Sequence, residues 1–301
     1  IDLSHIDNWT PIGNDSSNFT GSFNGNGYKI TGLTINRPKI DYIGLFGYTQ
    51  GAIIENVALE DVNIKGSSRT GGLVGEARSS TTITNSYATG EVTGTSYTGG
   101  LVGTAYSSPI TNSYATGSVT GTNYTGGLVG SAVNSTEITN SYATSSVTGK
   151  DFTGGLVGRA SSSTIENSYA TGEVTGSDYT GGLVGHANNS TRITNSYATG
   201  SVSGGDFTGG LVGSAYKSPI TNSYATGAVI GEGDYTGYTG GLVGDAYKSS
   251  VTNSYWDINT TGQTNSSGGG SGRSTNEMKD KKTYTNWDFE NTWEINEGQP
   301  Y

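Results

Sequence analysis

The apolar residues of this chain come singly or in pairs, and they return at a fixed distance. The pentamer Gly-Gly-Leu-Val-Gly begins at Gly71, Gly99, Gly126, Gly154, Gly181, Gly209 and Gly240, and a degenerate Ile-Gly-Leu-Phe-Gly begins at Ile43. The intervals are 28, 28, 27, 28, 27, 28 and 31 residues. A second block, Asn-Ser-Tyr-Ala-Thr-Gly or a near version, begins at Asn85, Asn112, Asn140, Asn167, Asn195 and Asn222, and ends as Asn253-Ser254-Tyr255-Trp256. From each of these Asn residues to the next pentamer is 14 residues five times running, then 18, with the four extra residues in Gly231–Thr239. The complementary gap alternates between 10 and 9 residues, so the coils read as pairs.

Within a unit the pattern predicts three short strands separated by turn residues: Gly-Gly-Leu-Val-Gly-x-Ala, x-Ile-Thr-Asn-Ser-Tyr-Ala, and x-Val-Thr-Gly running into x-x-Tyr/Phe-Thr. None has a 3.6-residue period or the length of a helix. One such unit cannot bury its own apolar row, but a stack of them can. The predicted fold is therefore all-β: a parallel β-helix (β-solenoid) of about eight three-strand coils with terminal caps. Equivalent residues stack about 4.8 Å apart, which makes a rod of roughly 40 Å. The core columns can be read off the period. Leu73, Leu101, Leu128, Leu156, Leu183, Leu211 and Leu242 form one, Ile83 to Ile220 and Val251 a second, Val92 to Val229 a third, and Ala77 to Ala246 a small-residue fourth. The Asn85 column should form an amide ladder along the stack. In an unbroken strand Tyr87 shares parity with Ile83 and Asn85, which puts the Tyr87 column (Tyr87, Tyr114, Tyr142, Tyr169, Tyr197, Tyr224, Tyr255) on the inner side. A second aromatic column, Tyr97, Tyr124, Phe152, Tyr179, Phe207 and Tyr238, exchanges Tyr for Phe, so its hydroxyl is dispensable and packing is expected there too.

The ends depart from the pattern. Residues 1–42 read as an N-terminal cap and first coil, 43–256 as the repeat array, and 257–301 as a C-terminal loop and capping tail. Within the last part, Thr260–Thr275 is rich in Ser, Gly and Asn and reads as a flexible loop. The aromatic stretch Trp287-Asp288-Phe289 to Trp293-Glu294-Ile295 could fold back over the last coil.

Composition changes this picture only at its edges. The hydrophobic fraction is 31% and Gly is 50 of 301 residues, figures that would favour disorder were the order of residues not so regular. Net charge is −10 with a pI near 4.6, which argues against nucleic acid and anionic membranes as partners. No apolar run is long enough to insert in a membrane. Cysteine is absent, and the chain starts at Ile1, as a mature or excised fragment would.

The motif Gly-Gly-Leu-Val-Gly at this period resembles the GLUG motif of bacterial and archaeal adhesin-like surface proteins. Trp9-Thr10-Pro11-Ile12-Gly13 and Phe19 to Gly27 are similar to the lead-in of such arrays. Ser254-Tyr255-Trp256-Asp257, Met278-Lys279 and Trp287-Asp288-Phe289 are similar to their exit. Ser145, where the other full copies have Gly, is a departure. The resemblance implies a secreted or surface-anchored parent protein and a structural or adhesive role, with an extracellular or cell-surface glycan or protein as partner. The fragment itself is expected to be monomeric.

Candidate chemistry is sparse. The irregular aromatic set Tyr106, Tyr216 and Tyr247 and the insertion residues Glu232, Asp234 and Tyr235 are the candidate binding residues. Asp151, Asp178, Asp206 and Asp234 precede the second aromatic column. Stacked carboxylates repel unless a cation lies between them, so calcium is the candidate ion, against a plain solvated turn; the calcium-repeat pattern Gly-Gly-x-Gly-x-Asp is missing. His5 and His186 are the only histidines, and no nucleophile–base pair or metal-ligand spacing is present. His186 alternates with Glu, Thr, Ser, Arg and Asp at its repeat position and reads as a variable surface slot. The chain is therefore expected to be non-catalytic. A carbohydrate-binding module is the alternative, and an ice-binding module or a polysaccharide-degrading β-helix enzyme are lesser ones.

Overall fold

A computed structural model describes residues 1–232 and 238–294. It is a parallel β-solenoid of about eight turns. One sheet stacks eight strands, from Phe46–Gln50 and Val74–Arg78 through to Val243–Tyr247. A second stacks seven, from Ser68–Gly71 to Thr239–Gly240. The third is bent and carries two legs of every coil, such as Thr82–Thr84 and Tyr87–Thr93. All pairings between coils are parallel, and between the central coils they are in register: Val102 faces Val74 and Val129, and Ile110 faces Ile83 and Ile138. The register shifts once near each end, between Ala88 and Gly90 against Ala58–Lys65 and between Val251 and Tyr255 against Gly269–Arg273. The Leu, Ile and Val columns expected from the repeat are buried, together with the Val of each pentamer.

The corners lie elsewhere than the strand candidates imply. The pentamer is not one strand: its first Gly ends one sheet, its second Gly and Leu make the bend, and its Val-Gly begins the next sheet. The glycines explain why. A Cβ on Gly127 would fall on the carbonyl oxygen of Gly155 in the next coil, and one on Gly130 would lie 2.5 Å from the backbone carbon of Tyr97. The motif is thus a steric record of two close backbone approaches.

The second strand candidate is also broken. Asn85, Asn112, Asn140, Asn167, Asn195, Asn222 and Asn253 all have φ between 46° and 51°, the left-handed region that Asn tolerates better than most residues. This corner reverses the side-chain parity of the residues after it. Ser86 and Ala88 point inward and are buried, while Tyr87 points outward and is half-buried. The inward placement expected for the Tyr87 column is therefore corrected, because an unbroken strand was the wrong premise. The amide ladder forms only in part and on the outside of the corner: Asn112 Nδ2 donates to Asn85 Oδ1 at 3.1 Å and Asn195 Nδ2 to Asn167 Oδ1 at 3.2 Å, while Asn222 Oδ1 has no hydrogen-bond partner. The buried hydrogen-bonding column is serine. Ser86 N donates to Ser113 Oγ at 3.1 Å, Ser113 N to Ser141 Oγ at 3.2 Å, and each hydroxyl donates to a carbonyl two residues back, as Ser113 Oγ does to Thr111 O at 2.8 Å. Both hydrogen-bonding roles of the buried hydroxyl are filled.

The alternation of 10- and 9-residue gaps has a conformational cause. The long loops place two successive residues in the left-handed region: Ser79 and Ser80, Asn134 and Ser135, Asn189 and Ser190. The short ones place a single residue there: Ser107, Ser162, Lys217 and Lys248.

At the N-terminal end, Leu3, Ile30, Leu33, Ile35 and Phe46 continue the core, with Phe19 and Phe23 against Phe46 at 4.9 and 5.3 Å between ring centroids. At the other end, Trp256 continues the buried column of Ala88, Ala115, Ala143, Ala170, Ala198 and Ala225, in register with Ala225. Residues 260–275, expected as a flexible loop, instead close the last coil. Gly269–Arg273 pairs in parallel with Val251–Asp257, and the hydroxyls of Ser266 and Ser267 accept from Val243 N and Ala246 N. Ser274 and Glu277 form a capping box on the short helix Thr275–Met278.

Candidate functional site

The outward surface is organised as rows running along the rod, and the aromatic rows are its most distinctive chemistry. In the Tyr87 column, neighbouring rings are stacked at 4.6 to 4.9 Å between centroids with planes within 6° of parallel. Each internal ring therefore spends both faces on its neighbours and offers only its edge and hydroxyl to solvent. Tyr87 at the start donates from its hydroxyl to Glu60 at 2.8 Å, and Glu60 also pairs with Lys29. Burial, then that hydrogen bond, pushes the Tyr87 phenol up to about 12. Burial, then the neighbouring Tyr169, does the same to Tyr197.

At its C-terminal end this column is covered by the chain itself. Tyr284, Trp287, Phe289 and Trp293 pack with Met278 over Tyr224 and Tyr255 and reach Tyr197. The covering rings meet the column obliquely: Trp287 to Tyr224 at 6.2 Å and 37°, Trp293 to Tyr197 at 6.2 Å and 50°, Tyr284 to Tyr255 at 5.2 Å and 78°. Trp287 Nε1 donates to the corner carbonyl of Asn253 at 2.7 Å.

The second column sits at a left-handed corner within the strands of the seven-stranded sheet, such as Ser96–Gly99 and Asp151–Gly154. Tyr97, Tyr124, Phe152, Tyr179 and Phe207 all have φ between 54° and 58°. Their rings stack at 4.7 to 4.9 Å. Arg69 takes one rung, with its guanidinium 5.2 Å from the Tyr42 ring and 5.3 Å from that of Tyr97. The column roofs the slot after each pentamer. Glu76 lies there fully buried, paired with Arg69 and Arg78. His186 lies there against Phe152 and Tyr179, so it is no surface slot. Burial and then the charge of Arg159 push its imidazole down to about 4.

The other candidate residues are scattered. Tyr106, Tyr216 and Tyr247 end strands of the same sheet, but Tyr106 stands four coils from Tyr216. Tyr216 and Tyr247 stack at 5.6 Å, with Lys217 Nζ over one ring and Lys248 Nζ over the other. Arg78 lies over Tyr106 at 5.0 Å. Glu232 is exposed at a different corner of the coil, and Asp234 and Tyr235 lie outside the described residues. Asp151 and Asp178 are register partners, and both are half-buried like Asp206. Among the described residues no three His, Cys, Asp or Glu side chains gather closely enough to hold a metal ion, and two adjacent carboxylates fall short of the roughly six to eight oxygens calcium takes. No catalytic constellation is present among the described residues. No helix among them is long and apolar enough to cross a membrane.

The pattern that defines the GLUG motif matches residues 66–93, 94–120, 121–148, 153–175 and 176–203. The chain is thus a GLUG-motif repeat array over these five segments, which is consistent with the repeats of bacterial and archaeal adhesin-like surface proteins. Two relatives share stretches of it. A protein of Evansella cellulosilytica, provisionally described as a Gly-rich membrane protein, is 48% identical over 52 residues, 17% of this chain and 6% of its own length. Halomucin of Haloquadratum walsbyi is 38% identical over 87 residues, 28% of this chain and 1% of its own. The chain therefore spans only a small fraction of these relatives. A crystal structure from Bacteroides ovatus, provisionally assigned as an immunoglobulin A1 protease, aligns over 96% of this chain and 79% of its own with a TM-score of 0.51 at 18% identity, a likeness of fold alone.

Proposed function

We propose that this chain is a non-catalytic rod in an extracellular or cell-surface protein, holding or making contacts at a distance from the cell. The observation that carries the reading is the continuous parallel stacking of about eight coils. It gives length and stiffness, and its outward rows repeat one surface many times. The GLUG family and the halomucin relative support an extracellular setting. Beads coated with the full chain should be retained on cell layers and mucin-coated surfaces above uncoated beads; equal retention would remove the adhesive part of the reading.

A carbohydrate-binding reading has one observation in its favour. Tyr247 is 53% exposed at the end of its short stack, beside Lys248. A glycan array probed with the full chain tests it, and a hit that survives Tyr247→Ala would count against that residue.

A further inference from the structure

The Tyr87 column carries two kinds of surface. Its last rungs, Tyr224 and Tyr255, are buried beneath the aromatic tail. The rungs Tyr114, Tyr142 and Tyr169 have the same orientation and the same stacking but stay half-exposed. They are flanked by the same corner, Asn112, Asn140 and Asn167, as Asn253 provides for Trp287. The open surface thus continues an interface already occupied within the molecule.

Ring geometry selects the partner. A sugar ring stacks on an aromatic face, but the faces of these rungs are taken by their neighbours. What remains is a row of ring edges, which are the positive part of the aromatic quadrupole and attract the negative face of another aromatic ring. The tail uses this complementarity, since its rings lie 37° to 78° from the planes of the rungs they meet.

We propose that the open rungs Tyr114 to Tyr169 are a docking strip for an extended peptide segment bearing two or more aromatic side chains, of the chemistry that residues 284–293 display. The periodicity of the array makes the strip a set of equivalent positions, so a bound segment can register at more than one coil. The proposal gives the rod a partner class and rests on the contact-making reading above. It is measured with purified chain, whereas that reading is measured by adhesion, so each fails separately.

The test is fluorescence anisotropy with a labelled synthetic peptide of residues 281–294, titrated with the full chain. Saturable binding is expected, weakened about tenfold by Tyr142→Ser in the chain and by replacing both Trp residues of the peptide with Ser. A copy of the peptide with a photo-crosslinker at the position of Trp293 maps the contact on the unmodified chain, and adducts are expected within residues 112–171. Absence of saturable binding would overturn the proposal. So would adducts confined to the surroundings of Tyr224 and Tyr255, which would mean exchange with the tail alone. Cellohexaose binding that Tyr142→Ser abolishes would transfer the strip to sugars and overturn it as well.

Discussion

The two aromatic columns stack rings at the same spacing, yet they do different work. The Tyr87 column stands on a strand, with its edges toward solvent, and is covered only where the tail lies on it. The Tyr97 column is a left-handed corner folded back over the slot that holds Glu76 and His186. One is a surface and the other a roof. Their compositions differ accordingly: the roof accepts Phe152, Phe207 and even Arg69, because any flat group closes the slot, whereas the surface keeps Tyr from coil to coil. Stacking alone therefore does not say what an aromatic ladder is for; what lies beneath it does.

The largest way to break this contrast is to lift the roof. Gly130→Val would drive a side chain into the backbone at Tyr97, and a loss of about 4 kcal/mol or more in denaturant-measured stability is expected. Phe152→Ala should cost about 2–3 kcal/mol, against about 1 kcal/mol for Tyr142→Ala, because only the first uncovers a buried slot. Equal costs would erase the distinction between roof and surface.

Acid should act on the roof. The folded state holds the His186 imidazole near 4, below its ordinary 6.5, so it favours the neutral form. The contribution is complete above 6.5 and is lost as pH falls from there toward 4, at most about 3 kcal/mol and less once solvent screening of the half-buried ring is counted. An NMR titration of His186 should show the low value, and Phe152→Ala should raise it. Alkali should act on the surface, and more weakly. Tyr197 is held near 12 against an ordinary 10.0, so its stabilising effect is complete below 10 and fades as pH rises from 10 to 12. Ultraviolet titration should show late-ionising tyrosines that revert to ordinary behaviour on unfolding.

The fold is legible in the sequence because a solenoid writes its geometry as a period. Leu128, Ile138 and Val147 can be assigned to the core from spacing alone, and all three are buried. The direction of Tyr142 is not legible, because it depends on the φ of Asn140, 51°, and side-chain alternation holds only within an unbroken strand. The same corner hides Ser141, which looks like a polar spacer but fills the buried hydrogen-bond column. The folding-back of Trp287 and Trp293 can be anticipated from composition. Their target cannot, since strand parity places the Tyr87 column inside. The pairing of Gly269–Arg273 escapes sequence reasoning because a glycine- and serine-rich stretch carries no strand signal, although its backbone can complete a ladder that the preceding coil already templates.

The asparagine corner turns Tyr142 outward and Ala143 inward. The chain has no cysteine, so a single introduced thiol reports this cleanly. Native-state labelling with a thiol reagent should be fast for Tyr142→Cys and slower by orders of magnitude for Ala143→Cys. The reverse order would mean an unbroken strand with its tyrosines inside, and would contradict the account.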